Sequence, residues 1–237
     1  MRRAAHMPTP DDNRVAFQES LLEWFEREHR DFPWRLRSDP FAILIAEKLL
    51  QQTAARAPVV TAYEQVLQRY PSPHDLAAAD VNDLEEIVRP LGFTYRAREL
   101  ISLAQVLVER HEGHVPNTLS ALLALPGVGD YVARAVLSFG FGEDVAIVDT
   151  NVARFLYRLY CLPGKLPSNP ARKKSLIAMA QTLLPPGKAK SWNLAVLDVC
   201  ALICKPLKPL CPSCPVQRFC AYGVSRDVSP TSAFPIC

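Results

Sequence analysis

No stretch of this sequence is long and apolar enough to cross a membrane as a helix. The longest apolar run, Phe41–Ala46, falls far short of the roughly 18–20 residues required. Arg2 and Arg3 have no apolar segment behind them, which argues against a secretory leader and predicts a soluble, cytoplasmic protein. Strand patterning is scarce too. Asp144–Val148 is partly β-branched but too short and isolated to build a sheet. No repeat or low-complexity segment occurs. With 237 residues, 49% hydrophobic and 22% charged, neither disorder nor a collagen-like repeat fits, and there is core material for one large domain or two small ones. Charge of one sign is nearly balanced. A net +3 permits nucleic-acid binding without requiring it, and 19 of the 27 basic residues are arginine, which suits planar pairing with phosphate or carboxylate.

What is present is helical periodicity from end to end, so the fold class is predicted to be all-α. Asp11-Asp12 reads as a start signal for a helix over residues 12–30 with Val15, Leu22 and Phe25 on its apolar stripe. A proline-bearing break at Asp31–Arg35 precedes a second helix from about Pro40 to Thr53. Further helices are predicted at about 55–69, 81–89, 94–112, 117–124, 130–140, 151–160, 170–183 and 188–203. Ser72 with Asp75 forms a capping-box-like pair. Many of the 21 prolines follow Leu162, which predicts a C-terminal part rich in turns, and the residues after Cys220 read as a tail.

Four of the seven cysteines lie close together as Cys204-x6-Cys211-x2-Cys214-x5-Cys220. An odd total without an export signal argues against a disulfide framework and for metal ligation by this cluster. Soft thiolates select zinc or an iron–sulfur cluster, and spacing alone leaves both open. Cys161, Cys200 and Cys237 receive no role, and His111 and His114 read as surface residues.

Leu125-Pro126-Gly127-Val128-Gly129 separates two helical segments. Its glycines allow positive φ and close approach of another chain, and the next helix would present backbone N–H groups to a phosphate oxygen. An ordinary tight connection between helices reads equally well. Glu47 interrupts an apolar run, with Gln51 one turn on. It is either a carboxyl group held against apolar walls, with a raised pKa, or part of a wet face with Lys48, Gln51 and Gln52. Asp149 precedes Thr150–Arg154 and reads as a helix N-cap, a role compatible with catalysis because a pinned carboxylate stays ionised and aimed.

The ordered set of LPGVG, then Val148-Asp149-Thr150-Asn151, then the cysteine loop resembles the helix-hairpin-helix DNA glycosylase superfamily, in the branch of endonuclease III and MutY, across roughly residues 31 to 220. The resemblance implies a six-helix barrel domain at 31–148 and a cluster domain formed by 1–30 and 149–237. It also implies a [4Fe–4S] cluster on Cys204, Cys211, Cys214 and Cys220. The partner implied is double-stranded DNA containing a mispaired or damaged base, bound by a monomer, with the base flipped out of the stack. Gly127, Val128 and Gly129 would grip backbone phosphates, with Gln51 and Gln52 also on the DNA. Leu91–Arg98 falls where relatives wedge the duplex, so Phe93 or Tyr95 would fill the gap and Arg96 would meet phosphate.

Bifunctional members carry a lysine two residues after the second hairpin glycine, where this chain has Tyr131, and no lysine occurs between Lys48 and Lys165. The resemblance therefore implies a monofunctional glycosylase with water as nucleophile. Asp149 would stabilise positive charge on the deoxyribose, Glu47 would act as general acid, and Tyr131 would line the pocket. Tyr131 and the DFPWR opening resemble the G·T mismatch thymine glycosylases, whereas Leu49–Thr53 resembles adenine-removing MutY. Thymine or uracil opposite guanine is the expected substrate. Adenine opposite 8-oxoguanine or guanine is the alternative, and non-catalytic binding of damaged or abasic DNA is the rival of another class.

Overall fold

The computed structural model describes residues 9–53 and 55–227. Among them every regular element is helical and no strand occurs, as the missing alternation predicts. The chain divides into two compact units. One is residues 31–143; the other joins 1–30 to 144–237. They are called here the hairpin unit and the cysteine unit.

The hairpin unit contains α2 (Pro40–Leu50), α3 (Ala57–Arg69), α4 (Pro73–Ala77), α5 (Val81–Val88), α6 (Arg96–His111), α7 (Leu119–Leu123) and α8 (Asp130–Gly140). Helix α2 starts where Asp39 accepts hydrogen bonds from the N–H groups of Phe41 and Ala42, with Pro40 in the first turn. Phe41 through Leu49 are all buried, which is what a helix apolar on every side requires. The wet face considered for Glu47 and Lys48 is therefore not formed. Helix α2 packs on α8 and α3, while α6 packs on α4 and α5. Gly140 permits the α2–α8 approach, because a Cβ there would stand 2.9 Å from Cα of Pro40.

Helix α2 stops at Leu50 rather than near Thr53, and Gln52 turns the chain with a φ of 55°. Arg96 explains the stop. Its guanidinium donates to the carbonyl of Leu49 and to Oγ1 of Thr53, each at 2.9 Å, and to the carbonyl of Gln51. It thus satisfies C-terminal carbonyls that an ending helix leaves unpaired. Arg96 is only 2% exposed. Expected as a phosphate contact, it is instead an interior brace.

The cysteine unit contains α1 (Arg14–Glu28), α9 (Thr150–Tyr160), α10 (Lys174–Leu183), α11 (Ala189–Leu202) and α12 (Ala221–Asp227). Helix α12 occupies the start of the segment expected as a tail. The buried face of α1 is Phe17, Leu21 and Trp24, not the expected stripe. Val15 is exposed, while Leu22 and Phe25 are only partly covered. Asn13 caps α1 through the N–H of Ala16, and the face then follows i, i+4, i+7 from Phe17. Phe17 meets Trp192 and Phe219 edge-on, both with centroids 5.7 Å apart, which joins α1 to α11 and the cysteine loop.

The strand-like stretch before α9 has no partner strand because side-chain amides serve its backbone. Gln181 accepts from the N–H of Ala146 and donates to the carbonyl of Asp144. Asn193, buried on α11, donates to the carbonyl of Val145 and accepts from the N–H of Ile147. Asp149 is thereby delivered to the start of α9 on a fixed backbone.

Candidate active site

The hairpin turn lies between α7 and α8. The N–H of Val128 donates to the carbonyl of Leu125 at 3.2 Å, and Gly127 takes a φ of 69°, a conformation that favours glycine. Val128 is buried and both glycines are exposed. Gly129 is the N-cap of α8, and no side chain caps that helix. Tyr131 follows in its first turn, half-buried. Nε2 of Gln51 donates to the carbonyl of Gly127 at 3.2 Å, so the end of α2 and the turn are in contact. Gln52 is exposed.

Phe93 and Tyr95 meet edge-on with centroids 5.8 Å apart, and the Arg96 guanidinium lies 4.5 Å from the Phe93 ring centre. Tyr95 is half exposed, so of the two expected wedge aromatics it offers more free surface.

The two candidate carboxylates stand in different units. Glu47 is 6% exposed within α2. Asp149 caps α9, with Oδ1 accepting from the N–H of Val152 at 2.7 Å and Oδ2 from Nδ2 of Asn151 at 2.8 Å. Two donors keep this carboxylate oriented. The network continues. Oδ1 of Asn151 accepts from Nη1 of Arg154 at 3.0 Å, and the same guanidinium donates to the carbonyl of Cys204 through Nε at 3.1 Å and Nη2 at 3.0 Å. Asp149 is thus two side chains away from the first cysteine of the loop.

Cys204, Cys211, Cys214 and Cys220 all line one pocket, together with Arg158 and Tyr222. Among the described residues no three Cys, His, Asp or Glu side chains are arranged to hold a metal ion. A single zinc would require its sulfurs at about 2.3 Å from one point, whereas a four-iron core binds each thiolate at a separate corner and spreads them. Burial pushes the Cys214 thiol up to about 12 and that of Cys220 to about 11. Burial thus disfavours the thiolate form of these two cysteines, and a bound metal centre is the kind of group that would compensate. Donors already point at the sulfurs. Nη1 of Arg158 lies 3.3 Å from Sγ of Cys204, and the N–H of Gly223 lies 3.4 Å from Sγ of Cys220. Four soft sulfur donors around one pocket suit a metal centre or an iron–sulfur cluster.

Three participants escaped the sequence. Asn151 and Arg154 follow Asp149 closely in sequence; the bond from Asn151 to Asp149 is local, but the bond from Arg154 to Cys204 depends on the loop's return. Lys48, buried under the hairpin turn, read as an ordinary surface lysine; its one signal was a position inside an otherwise apolar helix.

Residues 45–181 match the family described as HhH-GPD superfamily base excision DNA repair protein. The thymine-DNA glycosylase of Aeropyrum pernix is 38% identical over 90% of this chain and 96% of its own length. The thymine/uracil-DNA glycosylase of Methanothermobacter thermautotrophicus is 35% identical, with 88% and 94% covered. The human adenine DNA glycosylase is 37% identical over 87% of this chain, which spans only 39% of that protein. Among solved structures, a thermostable thymine-DNA glycosylase superposes with a TM-score of 0.83 at 34% identity, covering 91% of this chain and 98% of its own. An endonuclease III–DNA covalent intermediate gives 0.76 at 27% identity, covering 93% and 100%.

Proposed function

We propose that this chain, which belongs to the HhH-GPD superfamily of base excision DNA repair proteins, is a monofunctional DNA glycosylase that removes thymine or uracil mispaired with guanine. The observation that carries the chemistry is the pinned carboxylate of Asp149. In the reaction the N-glycosidic bond breaks with its electron pair leaving on the base, and Glu47 supplies the proton that eases departure. Positive charge develops on the deoxyribose, where the Asp149 carboxylate stabilises it. Water then forms the new bond to the sugar carbon and gives up its proton to a carboxylate. Tyr131 stands where bifunctional relatives have their lysine, and Lys48, the lysine beneath the hairpin turn, has its ammonium committed to three acceptors. Neither offers a free amine for a Schiff base.

On the DNA side, Gly127, Val128 and Gly129 with the start of α8 would hold backbone phosphate. Gln51, Gln52, Phe93 and Tyr95 would contact the duplex around the flipped base, and Tyr95 is the better-exposed wedge. Cys204, Cys211, Cys214 and Cys220 would hold a [4Fe–4S] cluster, which when bound cross-links the loop and neutralises its thiolates. The thymine and uracil assignment draws on the similarity to the two archaeal glycosylases and to the thermostable thymine-DNA glycosylase. Adenine removal is the second reading, favoured by Leu49-Leu50-Gln51-Gln52-Thr53 and by the similarity to the human adenine glycosylase.

Single-turnover assays on duplexes carrying G·T, G·U, 8-oxoguanine·A and G·A decide between these readings. Strand cleavage of G·T and G·U only after alkali is expected. Activity confined to the adenine duplexes would reverse the substrate order. A borohydride-trapped covalent adduct would defeat the monofunctional assignment, and binding without base release would make the protein a sensor of damaged DNA.

A further inference from the structure

Lys48 takes no part in the chemistry above, yet it is 1% exposed. A buried ammonium costs several kcal/mol unless its donors are matched, and here they are. Its three N–H groups face three acceptors, each at 3.1 Å: Oε1 of Gln51, Oε2 of Glu99 on α6, and the carbonyl oxygen of Gly127. The third acceptor is the centre of the hairpin turn, and it accepts from Gln51 as well. A trans peptide points its N–H away from its carbonyl. The amide shared by Gly127 and Val128 is therefore held on both sides, by Lys48 at the oxygen and by the carbonyl of Leu125 at the N–H. The ammonium also fills the space a side chain at position 127 would take, since a Cβ there would lie 2.4 Å from Nζ. Glycine is thus required twice, by its φ of 69° and by the cation beneath it.

We propose that Lys48 is a positioning residue for DNA binding: a buried clamp that ties α2 and α6 to the hairpin turn and holds its backbone in the conformation that receives a duplex phosphate. The proposal rests on the glycosylase reading. Its ligand is the phosphodiester backbone, so it acts on affinity rather than on base removal, and it acts from beneath the turn without touching DNA.

Lys48→Met keeps the apolar stem and removes the donors. The expected result is at least about tenfold weaker binding of a duplex containing a tetrahydrofuran abasic analogue, of the size a lost buried charge contact produces. At saturating enzyme the first-order excision constant should stay within about threefold, because no reacting group has changed. Amide exchange of Val128 should accelerate at least about tenfold. Gly127→Ala supplies the coupling test. If the clamp acts through this contact, the affinity losses of Lys48→Met and Gly127→Ala fall well short of multiplying in the double variant. Multiplying losses, or wild-type affinity in Lys48→Met, would overturn the proposal. A loss confined to the excision constant would also overturn it. Should Lys48→Met fail to fold, Glu99→Ala, which removes one of the three acceptors at a partly exposed site, should give a smaller loss of affinity in the same direction, and unchanged affinity there would count against the clamp. Wild-type protein that binds no duplex at all would instead remove the glycosylase reading on which the proposal stands.

Discussion

The two units fix their functional backbone by different means. In the hairpin unit, cations remote in sequence reach carbonyl oxygens. Lys48 holds Gly127 across 79 residues, and Arg96 holds Leu49 across 47. In the cysteine unit the carboxylate of Asp149 is set by its immediate successors, Asn151 and Val152, while side-chain amides of Gln181 and Asn193 hold the backbone before it and Arg154 reaches Cys204 across 50 residues. A turn that must offer its own backbone has no side chains with which to brace itself, so the brace comes from elsewhere. A carboxylate at a helix start is braced by the helix it begins.

The largest break in this comparison is Asp149→Asn. Asparagine caps a helix about as well as aspartate, so the fold and duplex affinity should persist. On the proposed mechanism, removing this charge should lower the single-turnover excision constant by at least about 100-fold. Unchanged turnover would take Asp149 out of the mechanism. The counterpart in the hairpin unit is Arg96→Met. It leaves the carbonyls of Leu49 and Gln51 without their donor in a buried place, and about 3 kcal/mol of stability should be lost. Chemical denaturation measures it. A loss below about 0.5 kcal/mol would show that Arg96 is not a brace.

Arg154→Met tests whether the cysteine loop and the carboxylate form one device. The variant cuts the path from Cys204 to Asn151 while leaving Asp149 its bond from Val152. A drop in the excision constant of about tenfold is expected, at the low end for residues that orient a site from behind. A change confined to thermal stability would reduce Arg154 to a purely structural link.

What was readable in advance follows the same division. The N-cap at Asp149, the capping box at Ser72, the turn at Gly127 and the cysteine spacing each lie within a few consecutive residues, where local hydrogen bonding or φ leaves a mark. Arg96 and Lys48 leave no such mark, because their partners arrive from distant parts of the chain. An arginine next to exposed aromatics and a lysine beside a glutamate both look like surface residues until the fold closes over them. The apolar stripe of α1 was displaced for a related reason: Phe17 is claimed by Trp192 and Phe219, residues that the helix alone does not announce.

The smallest expected effect compares the two interiors through one tyrosine in each. Burial raises the hydroxyl pKa of Tyr63 in the hairpin unit, and of Tyr160 in the cysteine unit, from the ordinary 10.0 to about 12. Between these values the unfolded chain gives up the proton while the folded chain keeps it, so the unfolded state binds fewer protons and stability falls as pH rises from about 10 to about 12. The Tyr63 hydroxyl is buried with no hydrogen-bond partner among the described residues, so Tyr63→Phe removes an unsatisfied group and should be close to neutral at pH 7. At pH 11 it should be more stable than wild type by about 1 kcal/mol. Tyr160→Phe should likewise flatten the alkaline decline. If denaturation resolves two transitions, Tyr63→Phe should move one and Tyr160→Phe the other. If Tyr63→Phe tracks wild type through pH 11, the Tyr63 hydroxyl ionises in the folded protein as readily as in the unfolded chain, and the hairpin unit is wetter around α3 than its packing implies.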